Sequence, residues 1–190
     1  MMRFVLTGIA LSSVALATGV LETSVLAQNP ISSASLGRQV TSSAASKTAP
    51  IKIAQVSTTS SLDSLEQAFY NQINQYRTNH GLPALTLDSR ISEQARTHSQ
   101  NMASGVVPFS HNGFTDRVQA IAKVIPYSAA AENVAYNQGY RDPVSQAVKG
   151  LLNSPGHLAN IEGQYNLTGI GVAKNANGAY YFTQIFIRSR

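Results

Sequence analysis

Two histidines and one glutamate are the residues of this chain whose type and setting best suit a functional site. His111 is flanked by serine and asparagine, and His157 follows a Pro-Gly pair, so turn-forming neighbours place both imidazoles in loops. Glu132 is likewise predicted in a non-helical stretch. Two imidazoles and a carboxylate are the ligand set of a catalytic zinc site, and they are also an acid/base set. Their wide spacing, without a local HExxH pattern, leaves both chemistries open.

Other reaction chemistries have less support in the sequence. The chain has no cysteine, which excludes thiol nucleophiles and means that the fold depends on its core rather than on disulfides. It contains no GxSxG elbow, and the Pro-Gly pair between Ser154 and His157 indicates the end of a helix before it indicates a catalytic pair. His98 is predicted on the buried face of a helix as a framework residue, and His80 at a helix C-terminus as a structural one.

The charge distribution argues against a nucleic-acid partner. The formal net charge is +5, but from Asp63 onward the sequence has ten basic and eight acidic residues, a difference of only +2. No basic stripe is visible in that part of the chain, and a phosphate-binding surface requires clustered lysine and arginine. With 43% hydrophobic and 12% charged residues, the chain is predicted to be globular.

The N-terminal part predicts export. Residues 1–27 have the pattern of a secretory signal peptide, with Arg3, an apolar run over residues 4–20 and small residues before the cleavage site at Ala27. An uncleaved membrane anchor is the alternative, but the apolar run is short for a bilayer span, so no integral span is expected after cleavage. Residues 28–62 are rich in serine, threonine and alanine and predict a flexible linker. The mature protein is therefore expected outside the cell, in the periplasm or at the cell wall.

Helical periodicity dominates the first half of the remaining domain, residues 63–190. Apolar spacing with capping residues and helix-ending glycines predicts four helices, which start near Asp63, Asp88, Thr115 and Asp142. The Asp63 start rests on capping-box spacing with Glu66. The stretch from Glu132 to Ala135 shows no clear period and is predicted to be irregular or a short turn.

Strand chemistry appears only at the C-terminal end of the chain. Residues 167–173 are apolar with glycines, residues 175–178 predict a hairpin turn, and residues 179–187 are rich in aromatic and β-branched side chains. Helices followed by a terminal hairpin indicate an α+β fold rather than repeated βαβ units.

Several of these segments together resemble the bacterial members of the CAP superfamily, the SCP-like extracellular domains. The resemblance covers Asp63 to Arg190, and five blocks occur in the family's order: Phe-Ser-His at 109–111, Ala-Glu-Asn-Val-Ala at 131–135, Asn-Ser-Pro-Gly-His-Leu-Ala-Asn-Ile at 153–161, Gly-Ile-Gly-Val-Ala at 169–173 and Tyr-Phe-Thr-Gln-Ile-Phe at 181–186. It implies an α/β/α sandwich with a small antiparallel central sheet that includes the C-terminal hairpin.

The resemblance also implies a cleft where the family gathers a His-Glu-Glu-His tetrad. His111 matches the first histidine and Glu132 the first glutamate, whereas serine stands at the second glutamate position and Tyr181 at the second histidine position. His157 is the expected substitute for the missing imidazole. The implied cleft residues are His111, Glu132, Asn133, Ser154, His157 and Tyr181, and the implied ligands of zinc or another divalent metal are His111 and His157, with Glu132 as a further candidate.

Three functional hypotheses follow. The first is a non-enzymatic, secreted binding module for a hydrophobic small molecule or lipid, a cell-wall component or a protein partner. The second is a metal-assisted hydrolase or protease, with Glu132 as ligand or general base. The third is that the polar cluster only pins loops together, with Glu132 bridging the two histidines. The sequence favours the first hypothesis, because no activated nucleophile is visible and the tetrad is incomplete.

Overall fold

The protein is a mixed β-sheet between two helical layers. A computed structural model describes residues 5–7 and 51–190, with side chains from Ser61 onward. Its strands are β1 (Val5–Thr7), β2 (Thr86–Leu87), β3 (Tyr127–Gln138), β4 (Leu167–Lys174) and β5 (Ala179–Ser189). Its helices are α1 (Ile51–Asn79), α2 (Ser89–Ala103), α3 (Phe114–Ala122), α4 (Pro143–Leu152) and α5 (Pro155–Glu162).

The strand order across the sheet is β1-β3-β5-β4-β2. The three central strands pair antiparallel along their length, and β1 adds antiparallel to the outer edge of β3. The short β2 runs parallel to β4, so the sheet is mixed rather than purely antiparallel. The predicted α+β class and sandwich architecture are confirmed.

Each face of the sheet has its own hydrophobic core, because side chains on a strand alternate between faces. On β5, Phe182 and Phe186 point into the larger core, which α1, α4 and α5 complete with residues such as Ile73. Ile185 and Ile187 point into the smaller core, where α2 and α3 pack. The candidate site residues of the central strands are therefore divided between two faces.

Helix α2 lies directly on the backbone of β4, and two glycines make this approach possible. A methyl group built on Gly169 would lie 2.4 Å from the backbone of Ile91 and Ser92, and one on Gly171 would lie 2.2 Å from that of Ala95 and Arg96. Real Cβ atoms do not approach backbone so closely. The Gly-x-Gly spacing of β4 therefore fixes the distance between α2 and the sheet.

Side chains of α1 and α2 accept hydrogen bonds from backbone amides on the outer edge of β4, beyond the two residues that pair with β2. The amide of Ile170 donates to the Ser92 hydroxyl at 3.2 Å, and the amide of Val172 donates to the Glu66 carboxylate at 3.1 Å. Glu66 also accepts three hydrogen bonds from the Arg96 guanidinium, at 2.6 to 2.9 Å. This ion pair joins α1, α2 and β4.

Three local predictions are wrong for identifiable reasons. The first helix begins at Ile51 rather than Asp63, because no proline or glycine interrupts residues 51–80 and Leu62 still packs on the core. Residues 132–135 lie within β3 rather than in a turn, because both strand faces are buried there and alternation is lost. His157 lies in the first turn of α5 rather than in a loop, because Ser154-Pro155 begins a second helix after α4.

Other sequence predictions are confirmed. Asp88 caps α2 by accepting from the Arg90 amide, and Asp142 caps α4 by accepting from the Ser145 amide. The hairpin turn at 175–178 joins β4 to β5. Val5–Thr7 of the predicted signal peptide form β1, and residues 51–62 of the predicted linker belong to α1; the rest of both segments lies outside the described residues. None of the helices within the described ranges has the length and apolarity that a bilayer crossing requires.

Gly171→Ala tests the helix–strand contact. The added methyl meets the backbone of α2, which cannot move without disturbing the smaller core, so we expect a loss of about 3 kcal/mol or more in the free energy of unfolding. Urea denaturation followed by circular dichroism measures it. Gly139→Ala is the control, because nothing lies within 4 Å of its methyl and its cost is limited to backbone strain at a φ of +84°, about 1 kcal/mol. Equal losses in the two variants would contradict the close-packing explanation.

Candidate functional site

Strand β3 carries two adjacent polar residues to opposite faces of the sheet. Glu132 pairs with Ile185 of β5 and shares its face, toward α2 and α3, whereas Asn133 pairs with Gln184 and faces the other side. Both residues are buried, with 3% and 1% of their surface exposed. Because the strand is central, their side chains are held rigidly, and each needs internal polar partners.

The partners of Glu132 are Arg117 of α3 and His111 of the preceding loop. The Arg117 guanidinium donates from Nε to Oε2 at 2.8 Å and from Nη2 to Oε1 at 2.7 Å, a bidentate pair. His111 Nδ1 lies 3.0 Å from Oε1. The side chains of all three residues are at most 13% exposed. The bridge that Glu132 forms therefore joins His111 to an arginine, not to a second histidine as the third hypothesis supposed.

His98 of α2 extends this network, and its neighbours fix its protonation state. His98 Nε2 lies 2.9 Å from the Ser110 carbonyl oxygen, which only accepts, and Nδ1 lies 3.2 Å from Arg117 Nη1, which only donates. The ring must therefore be neutral with its proton on Nε2. Burial and the adjacent Arg117 charge both lower the pKa of His98.

The other face of β3 holds a second polar cluster. The side-chain amide of Asn133 donates from Nδ2 to the His157 backbone carbonyl at 3.1 Å. The side-chain amide of Asn160 donates from Nδ2 to Asn133 Oδ1 at 2.9 Å. His157 Nδ1 lies 2.8 Å from the Ser154 hydroxyl. His157 is fully buried, so these contacts fasten α5 to β3. Asn133, Ser154 and His157 thus form a group separate from His111 and Glu132.

Aromatic rings continue the Glu132 face toward the end of the sheet. Tyr136 lies on the same face of β3 as Glu132, and its ring centroid is 5.0 Å from that of Tyr181 and 6.1 Å from that of Phe109. The three aromatic residues are partly exposed, and Val106, in the loop that carries Phe109, is 72% exposed. Burial and the neighbouring Tyr136 raise the pKa of Tyr181. We call Phe109, Tyr136 and Tyr181 the aromatic wall.

The residues present do not fit a divalent metal. Both oxygens of Glu132 are engaged by Arg117 and His111, and the guanidinium places a fixed positive charge where a cation would need to bind the carboxylate. Within residues 61–190, no group of three or more histidine, aspartate or glutamate side chains is arranged to hold a metal ion. The predicted ligands His111 and His157 belong to the separate clusters on the two faces of β3.

Sequence reasoning missed Arg117 and underestimated His98. Arg117 lies in no recognisable motif, and its carboxylate partner is 15 residues away on another element. The one signal in the sequence was its low charge content. With 12% charged residues, the chain has few basic side chains that could pair with a buried glutamate. His98 was correctly placed on a buried helix face, but its contact with Arg117 depends on how α2 and α3 pack together.

Comparison with known proteins identifies relatives of this chain. The model of the cysteine-rich secretory protein family, CAP, matches residues 70–186. The uncharacterized protein YkwD of Bacillus subtilis (strain 168) is 34% identical over 154 residues, which are 78% of this chain and 57% of that protein. The chain therefore spans little more than half the length of this curated relative.

Solved structures show the same fold. An extracellular protein containing an SCP domain from Bacillus anthracis str. Ames is 29% identical, with a TM-score of 0.56 over 76% of this chain and 45% of that one. An outer surface protein from Borrelia burgdorferi has a TM-score of 0.57 at 19% identity, over 67% of this chain and 94% of that one. The second likeness, at this low identity, concerns the fold alone.

His98 makes the stability of the protein depend on pH. The pKa of His98 in the folded state is below its ordinary value of 6.5, so its contribution is full above about pH 6.5 and is lost as the pH falls through the lowered pKa. We expect Tm to fall on acidification, and to fall less in His98→Gln, because an amide can accept from Arg117 and donate to Ser110 without titrating. Differential scanning calorimetry at about pH 7.5 and about pH 5 measures this.

His80→Gln is the matched control. His80 is exposed and lies at the end of α1, outside the network. Its replacement should leave the pH dependence of Tm unchanged. If His98→Gln and His80→Gln reduced the change of Tm with pH by the same amount, burial of His98 beside Arg117 would not be the cause of that change.

Proposed function

The chain belongs to the cysteine-rich secretory protein (CAP) family, and we propose that it is an extracellular, non-enzymatic binding module. Its proposed ligand is a hydrophobic small molecule or lipid, held against the aromatic wall beside His111. The observation that carries the proposal is the paired state of Glu132, whose two carboxylate oxygens are occupied by Arg117 and His111.

A general base or metal ligand needs a carboxylate lone pair directed at water, substrate or metal. Glu132 is a poor candidate for either role, because its side chain is 1% exposed and both of its oxygens accept hydrogen bonds from the Arg117 guanidinium. The alternative, metal-assisted hydrolysis through His111, His157 and Glu132, lacks support from the geometry for the same reason.

The aromatic wall supports an apolar ligand. Ligand sites are mostly lined by hydrophobic and aromatic side chains, with a few polar groups that orient the ligand. Here Phe109, Tyr136 and Tyr181 supply partly exposed rings, and the 13% exposed His111 follows Phe109 by two residues in the same loop. Tyrosine rings bury large apolar area while their hydroxyls stay hydrated, so such a wall suits an amphiphilic molecule.

Export completes the proposal. The signal-peptide pattern of residues 1–27 would deliver the domain outside the membrane, and the part of the linker before α1, residues 28–50, would hold it at a distance from the membrane or wall. The extracellular relative from Bacillus anthracis supports this placement. A cell-wall component or a protein would reach the same face.

Binding of a fluorescent fatty acid to the purified protein tests the ligand class. Tyr181→Ala removes a ring from the wall, and we expect its Kd for the probe to rise about tenfold, equivalent to about 1.4 kcal/mol of lost contact. Fluorescence titration measures the Kd, and a chelator should leave it unchanged. Native mass spectrometry of protein purified from culture medium would identify a natural lipid, wall fragment or partner that remains bound.

Tyr180→Ala is the control, because Tyr180 is the neighbouring residue on β5 and packs on the opposite face with Phe182. Its Kd should stay close to that of the wild type. Probe binding that disappears with a chelator, or that weakens equally in both variants, would overturn the proposal.

A further inference from the structure

The two edges of the sheet are covered in different ways. At the outer edge of β4, β2 and the side chains of Ser92 and Glu66 occupy backbone groups of the strand. At the outer edge of β3, the strand β1 (Val5–Thr7) pairs antiparallel with residues 134–136. Within the residues that the structure describes, β1 is the strand that pairs with this edge. One edge is thus covered by parts of the folded domain, and the other by a short N-terminal strand.

Strand β1 belongs to the segment that export would remove. It lies inside the predicted signal peptide, residues 1–27, and cleavage after Ala27 would separate it from the domain. The backbone groups of residues 134–136 that β1 engages would then lose their strand partner, and such an edge readily accepts another strand. This opening of the edge rests on the export that is proposed above.

Residues 134–136 form a rigid template for an added strand. Val134 and Ala135 are fully buried, and β5 pairs with this stretch on its other side. Just before it, the side-chain amide of Asn160 in α5 donates to the backbone carbonyl of Glu132 at 3.3 Å. Because this part of β3 is already ordered, the entropy cost of strand addition falls mainly on the incoming segment.

The pairing with β1 indicates the chemistry of a segment that fits this edge. Strand β1 has the sequence Val-Leu-Thr, which is uncharged and contains two β-branched residues. Its middle position lies opposite Ala135, on the face of the larger core, and its outer positions lie opposite Val134 and Tyr136, on the face of the aromatic wall. Glu132 is the one charged residue of β3, and it is already paired with Arg117. The edge therefore favours an extended, uncharged segment.

We propose that, in the processed protein, residues 134–136 of β3 are a docking site for an extended, uncharged segment of a partner protein, which adds antiparallel to the sheet in the place of β1. The added strand lies alongside Tyr136, so the partner is held next to the aromatic wall. The outer edge of β4 is already covered, so the sheet accepts a strand at one edge only.

A synthetic, fluorescently labelled peptide with the sequence of residues 3–9 tests the docking site. Protein purified from culture medium, with its N-terminus at Gln28 verified by mass spectrometry, should bind this peptide in fluorescence anisotropy. The control peptide carries Leu6→Pro and Thr7→Pro. Proline has no N–H to donate, and because the two positions are adjacent, one of the two lost N–H groups faces β3. We expect the Kd of the control peptide to be higher by about tenfold or more.

The full-length chain, produced without export, is the matched protein control. Its own β1 covers the edge, so it should bind the peptide at least about tenfold more weakly, and Leu6→Pro with Thr7→Pro in the full-length chain should restore binding. Hydrogen exchange of the amides of residues 134–136 is a second measurement that needs only the processed protein. Exchange there should be fast without the peptide and slow with it.

Three results would overturn the proposal. Equal binding of the control peptide, which keeps Phe4, would show contact with the aromatic wall rather than strand addition. Slow exchange at residues 134–136 without peptide would show that the edge is covered by this chain's own N-terminal segment or, if native mass spectrometry shows a dimer, by a second copy. Secreted protein that still begins at Met1 would show that β1 is retained. The fatty-acid titration with Tyr181→Ala tests the ligand of the aromatic wall separately, so failure of one proposal does not imply failure of the other.

Discussion

The buried carboxylate of Glu132 is the constraint on which this face of the protein depends. Removing a carboxylate from water costs several kcal/mol after relaxation, and only close pairing with further hydrogen bonds offsets the cost. Glu132 cannot turn away, because its strand is paired with β5 along its length. The surrounding elements must therefore bring a cation and donors to it, which explains why α3 places Arg117 there and why the loop before α3 places His111 there.

This constraint propagates to α2. Once Arg117 is fixed by Glu132, its remaining N–H groups need acceptors, and His98 Nδ1 and the Asn112 carbonyl supply them. His98 in turn donates to Ser110, so the loop that carries the aromatic Phe109 is tied back to α2. The position of α2 is set independently by its contact with Gly169 and Gly171 of β4. The contact of α2 with β4 and the hydrogen bond from His98 to Ser110 thus help to set the position of Phe109 in the aromatic wall.

The sequence predicts those parts of the protein whose signals are local. Helices α2 and α4 were recognisable because Asp88 and Asp142 cap them within three residues, and the terminal hairpin because its turn lies between two strand-like runs. Strand β3 was missed because burial of both faces removes alternation, and the start of α1 because the helix extends upstream of the best capping pattern. Family blocks selected His111 and Glu132, but the pairing with Arg117 joins residues on different elements and leaves no periodic trace. The sequence likewise carries no signal that His157 lies on the face of β3 opposite to Glu132.

The completed edge of β4 has a consequence for association with other molecules. Unpaired strand edges are templates for strands of other molecules, and such pairing leads to aggregation. In this chain the amides of Ile170 and Val172, which would otherwise be open, are occupied by Ser92 and by Glu66 in its ion pair with Arg96. A protein without cysteines has no disulfide to limit partial opening of its sheet. Polar side chains from α1 and α2 therefore block this edge, and they oppose intermolecular sheet growth there.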